Sequence, residues 1–70
     1  MTDTLNEDKL EHLLGHWIEH NESHSRSFND WAEKLEAAGF DDVAERIRKA
    51  SASMDESTAH LRQAKESVTK

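Results

Sequence analysis

Residues 35–42 read LEAAGFDD, which has the form of one helix end followed at once by another helix start. A helix commonly ends with a left-handed residue just past its last turn, followed by an apolar side chain that folds back three or four residues. Glycine takes that backbone conformation without steric cost. Gly39, followed by Phe40 and preceded by Leu35, has this form. Asp41 and Asp42 come next as N-cap candidates, and Glu45 is placed three after Asp42 to return a capping bond. The stretch predicts a tight turn over 39–41 between two antiparallel helices.

Upstream, Thr4-Leu5-Asn6-Glu7 has the form of a capping box, so the first helix starts at Thr4 or Asn6, with Glu7 and Asp8 at the positive end of its dipole. From there Leu10, Leu14, Trp17, Asn21, His24, Phe28, Trp31 and Leu35 recur in steps of four and three without a phase break. One helix over about 5–38 is expected. The segment NESHSRS has poor helix propensity, so the alternative is a three-helix bundle with a break near residues 21–27. Downstream, Ile47, Ala50, Met54, Ser57, Leu61, Ala64 and Val68 keep the same spacing, which predicts a second helix over about 42–68.

The chain is therefore expected to be all-α, a single domain over 1–70 built as an antiparallel two-helix hairpin. Its 70 residues include only 12 Leu, Ile, Val or Phe, and the second stripe is made of small side chains. Such a seam buries little apolar area per turn. Two chains are expected to pair into a four-helix bundle, a homodimer with Trp17, Trp31, Phe28 and Ile18 filling its centre. Gly15 inside the first helix costs about 1 kcal/mol relative to alanine and is read as a point of close approach to another backbone.

Composition narrows the function. There are no cysteines, hence no disulfide framework and no thiolate ligand. The net charge of −6 lies entirely in residues 1–40, where nine acids face three basic residues; residues 41–70 carry six of each. Phosphate neutralisation, and with it nucleic-acid binding, is disfavoured. A basic protein partner or a cation suits the acidic half. Met1 is followed by TDTLNEDK, without the basic and apolar regions of a secretory leader, and no run approaches a membrane span. The expectation is a soluble cytoplasmic protein with no membrane partner.

The acidic half also holds four of the five histidines, His12, His16, His20 and His24, at intervals of four. If Leu35 meets Val43 or Ala44 beside the turn, then Trp31 faces Ile47, Phe28 faces Ala50, His24 faces Met54 and Asn21 faces Ser57. This register predicts a polar layer at mid-bundle in which His20, His24 and His60 flank Asn21 and Ser57. Two histidines at i and i+4 can share one metal ion, and a third from a facing helix nearly completes a nitrogen and oxygen site. The candidate ligands are His16, His20, His24 and His60, with Glu19, Glu22 or Glu56 to add a carboxylate or orient a ring. Imidazoles without thiolates suit Zn, Ni, Co, Cu or Fe. His12 is expected on the solvent side.

Imidazole titrates near physiological pH, and protonating all five histidines takes the formal charge from −6 to −1, which weakens repulsion between acidic helices. Catalysis has little support. No glycine-bounded nucleophile or phosphate loop is present, and two helices offer no deep pocket.

The run NESHSRSFNDWAEKLEAAGFDDVAERIRKASASMDESTAHL, residues 21–61, resembles a helical hairpin of the rubrerythrin and ferritin-like families. It shares their cadence: an acid and histidine before an aromatic, an AEK-type stretch, a glycine turn, and a second helix ending near a Glu-x-x-His motif before a leucine. The resemblance implies half of a four-helix bundle that dimerises around a metal centre. Ser57 stands where the motif has glutamate, with His60 in place, and Asn21 stands where the facing carboxylate belongs. The segment HWIEHNESH, residues 16–24, also looks like a run from small uncharacterised histidine-rich helical domains of anaerobic microbes, which implies a shared role for His16, His20, Asn21 and His24. The first functional expectation is binding of a divalent transition metal for storage, delivery or sensing, without catalysis. The second is an acidic protein-interaction module whose histidines are simply solvated.

Overall fold

The computed structural model describes residues 5–68 as two helices, α1 (Glu7–Ala37) and α2 (Asp41–Val68), packed side by side in an antiparallel hairpin that measures 54 × 24 × 15 Å. The start of α1 is built by Asn6, whose side chain accepts a hydrogen bond from the Lys9 amide at 2.9 Å while its carbonyl accepts from Leu10. Thr4, the other candidate cap, lies outside the described residues. α1 runs unbroken through residues 21–27, so the three-helix alternative is set aside. Tertiary contact along the whole face overrides the weak propensity of that segment.

The turn has the expected construction. Gly39 sits at φ +93°, the Phe40 amide donates to the Leu35 carbonyl at 2.8 Å, and the Gly39 amide donates to the Glu36 carbonyl at 3.0 Å. These are the two bonds of the Schellman motif. One detail differs from expectation. The first helical bond of α2 runs from the Ala44 amide to the Phe40 carbonyl, so Asp41 and Asp42 sit inside the first turn. There they stabilise the helix through its dipole.

The two helices meet along a heptad seam. Buried residues are Leu14, Ile18, Ser25 and Ala32 on α1, and Ala44, Ser51 and Thr58 on α2. Asn21, Phe28, Leu35, Ile47, Met54 and Leu61 are half-buried and fill the alternate positions. The greater part of each expected stripe is therefore right, and three positions of each are out of phase. Ile18, Ser25 and Ala32 replace Trp17, His24 and Trp31; Ser51 and Thr58 replace Ala50 and Ser57. One residue is a rotation of about 100° on a helix, which carries both tryptophans out of the seam, to 45% and 56% exposure. The reason is steric. Ala32 and Ala44 are at 0% exposure, and helices that approach closely enough to bury a methyl leave no room between them for an indole.

The same phase sorts the flanks. On one side Glu22 pairs with Arg62, and Glu36 with Arg48 at 3.1 Å, closing that edge with polar groups. On the other side stand Trp17, His24 and Trp31 of α1 beside Val43, Ala50, Ser57 and Ala64 of α2. Gly15 lies on the polar edge. A Cβ built there meets only the Lys65 ammonium, at an ordinary 3.6 Å, so the expected close approach of a second backbone is absent within the chain.

Two substitutions test this packing. Gly15→Ala, with room for its methyl, is expected to stabilise the protein by up to about 1 kcal/mol through helix propensity, read as a rise in thermal midpoint of about 4–8 °C for a domain of this size. A fall would show that this edge is closely packed in solution. Ala32→Leu at the fully buried position should cost about 1–3 kcal/mol by overpacking, whereas Ala59→Leu on the exposed outer face should change stability by no more than about 0.5 kcal/mol. Equal effects in urea unfolding would contradict the seam phase.

Candidate metal centre

The i, i+4 spacing on an unbroken helix stacks the rings of His16, His20, His24 and Phe28 into one ladder along α1. Ring centroids are 6.3 Å apart from His16 to His20, 4.5 Å from His20 to His24, and 6.1 Å from His24 to Phe28. The central rung is the tightest, with the two rings edge to face at 74°. Across it the Nε2 atoms of His20 and His24 stand 3.0 Å apart, one ring N–H donating to the lone pair of the other.

That separation has chemical meaning. Metal–imidazole bonds of about 2.0–2.1 Å meeting at about a right angle place two nitrogens about 3 Å apart. An ion held by both nitrogens would sit to one side of the line between them and would replace the hydrogen bond. Both rings are exposed, so an ion could reach them and complete its shell with water. His16 extends the ladder by one rung and His12 lies on the solvent side, as expected.

The rest of the expected constellation is arranged differently. Among the described residues no three His, Asp or Glu side chains are grouped to hold a metal. His60 is exposed on α2, two positions past the seam residue Thr58, just as His20 lies two past Ile18. Each ring therefore leans outward, away from its own partner helix, so the two splay apart on one face of the hairpin. His24 and Ser57, expected to face the seam, are exposed, while Asn21 is half-buried there. Glu22 is engaged by Arg62 on the polar edge, and Glu56 is exposed on α2. These positions all follow from the rotation of the seam.

A polar layer does exist at mid-hairpin, made by other residues. Ser25 and Ser51 hydroxyl oxygens are 2.8 Å apart, Ser25 donates to Asp55 at 2.6 Å, and Ser51 also reaches the Ser25 carbonyl at 3.2 Å. One turn on, Thr58 donates back to the Met54 carbonyl at 2.9 Å. Among the described residues no buried side-chain polar atom lacks a partner. The layer is a satisfied structural network. Its signal in the sequence was the seven-residue repeat Ala44, Ser51, Thr58, which hydrophobic periodicity ranks below the neighbouring stripe through Ala50, Ser57 and Ala64.

Comparison with known proteins places the chain without assigning it a chemistry. It is similar to an uncharacterised protein of Archaeoglobus fulgidus, 36% identical over 44 residues that cover 63% of this chain and 69% of the relative. No solved structure matches it. Among the described residues no helix is long and apolar enough to cross a membrane. Residues 10–68, nearly the whole hairpin and all of the histidine ladder, match the model of a family described as a domain of unknown function, DUF8180, and the chain belongs to that family.

Proposed function

We propose that the protein binds a divalent transition metal through His20 and His24, with His16 as the neighbouring rung, and serves in storage, delivery or sensing rather than catalysis. The observation that carries this reading is the 3.0 Å spacing of the two Nε2 atoms on an exposed helix face. A chelating pair held by one rigid helix needs little reorganisation to accept an ion. The acidic character of α1, with eight acids against three basic residues, favours approach of a cation. Neutral imidazoles suit Ni, Zn, Co or Fe, and Cu. The resemblance to ferritin-like hairpins agrees with a bundle scaffold for the metal, though Ser57 and Asn21 in place of carboxylates argue against a carboxylate-bridged pair of irons.

A second reading, an interaction module for a basic protein, draws on the same acidic helix and on the exposure of Trp17 and Trp31. It leaves the histidines solvated.

Titration of the purified protein with Ni²⁺, Zn²⁺ or Co²⁺, followed by Trp17 fluorescence, separates the two. Trp17 lies one turn before His20 and senses ligation there. Binding tighter than millimolar is expected, lost in His20→Ala/His24→Ala, retained in His12→Ala, and weakened at acid pH because protonated imidazole has no lone pair to give. Binding weaker than millimolar, or unchanged by removal of both rings, would contradict the metal reading.

A further inference from the structure

The pair His20 and His24 supplies two ligands, and no third is grouped with them among the described residues. The hairpin also leaves one side uncovered, the side on which His24 stands between the exposed Trp17 and Trp31. We infer that a second copy of this chain covers that side, laying its α2 on α1, and that its His60 completes the metal site. This inference rests on the metal reading given above.

The choice of a second copy follows from the shape and charge of the two helices. The uncovered side carries large rings on α1, Trp17, His24 and Trp31, and on α2 Val43 next to the turn followed by the small Ala50, Ser57 and Ala64. Two hairpins can stack face to face about a two-fold axis in two ways. An axis along the helices lays α1 of each copy on α2 of the other; an axis across them lays α1 on α1 and α2 on α2. The first sets large side chains into small ones along both contacts, as close packing requires. The second sets rings on rings along one contact and leaves small residues facing small residues along the other.

Charge makes the same choice. α1 holds eight acids and three basic residues, α2 six acids and five basic residues, so α1 on α2 avoids the repulsion of α1 on α1. The interface is isologous, with the same patch used twice. The arrangement leaves the polar edge, with its Glu22–Arg62 and Glu36–Arg48 pairs, on the outside.

The position of the third ligand follows from register. Within the hairpin Gly15 lies level with Lys65, and Ser25 with Ser51 and Asp55. The Glu22–Arg62 pair sets a further level, and together these contacts bring His60 beside residues 16–24, the stretch centred on His20. An axis along the helices preserves heights, so His60 of the second copy lies level with His20. His20 and His60 occupy equivalent places on their helices, leaning outward on the uncovered side. Within one chain this points them apart; across the interface it points them into one groove. Each dimer then holds two sites of three imidazoles, His20 and His24 from one copy and His60 from the other, with positions open to water.

The test combines mass and complementation. Sedimentation should give twice the 8.0 kDa chain mass for the wild type, and close to one chain for Ala50→Arg, which places a long cation in the small face without touching the seam. Trp31→Ser should weaken association likewise. In Ni²⁺ titrations His60→Ala should bind at least about tenfold more weakly, the low end of what loss of a mere ring-orienting partner costs at a metal site. An equimolar mixture of His60→Ala with His20→Ala/His24→Ala should regain tight binding at one site per mixed dimer, because each chain supplies what the other lacks. A monomeric wild type, or tight binding that His60→Ala leaves unchanged, or a mixture no better than its components, would overturn the shared site while leaving the His20–His24 chelate standing. A wild type that binds no metal would overturn both.

Discussion

The contact between the Ser25 and Ser51 hydroxyls lies at the centre of the seam and marks the phase in which the two helices pack. At 2.8 Å, with Asp55 accepting from Ser25, it joins α1 to α2 at mid-length through side chains short enough to keep the backbones close. Ala32 and Ala44 do the same nearer the turn, with both methyls fully enclosed. A seam built from such residues sets every other side chain by its angle from the seam. It sends the indoles to one flank, the Arg–Glu pairs to the other, and the histidine ladder to the outer edge of the indole side.

That phase has an energetic consequence. Small residues and hydroxyls in the seam satisfy their hydrogen bonds but remove little apolar surface from water, and hydrophobic stabilisation follows that area. The buried apolar side chains among the described residues are Leu14, Ile18, Ala32 and Ala44, with no large one fully enclosed. Two helices of 31 and 28 residues are long for so thin a core. The rings that would enlarge it, Trp17 and Trp31, lie on the uncovered flank. The hairpin by itself leaves these two rings outside its core.

Much of this was legible in the sequence, and the part that was not has a physical cause. Gly39 and Phe40 announced the turn because the left-handed residue and the apolar return contact are local requirements. Asn6 announced the start of α1 for the same reason. The uninterrupted period from Leu10 to Leu35 carried α1 through NESHSRS. Seam phase was not local. Two stripes one residue apart share Leu14, Asn21, Phe28 and Leu35, and hydrophobicity favoured the one with Trp17 and Trp31 over the one with Ser25 and Ala32. In a bundle of several helices a tryptophan at such a position would be buried within its own chain; between only two helices, close approach selects the smaller residue. His60 was matched to His20 by height and by heptad position, but at those positions both rings lean outward from the seam and so splay apart within one chain.

If association covers the indole face, it contributes to the stability of the hairpin, and thermal unfolding of the metal-free protein as a function of concentration reads that contribution. When folding is coupled to association, mass action raises the midpoint as protein is added. Followed by helical circular dichroism from micromolar to millimolar chain, the midpoint is predicted to climb steadily, with Trp17 and Trp31 emission shifting to the red in the same transition. A midpoint independent of concentration, with both indoles already solvent-exposed before unfolding, would show that no second chain covers that face.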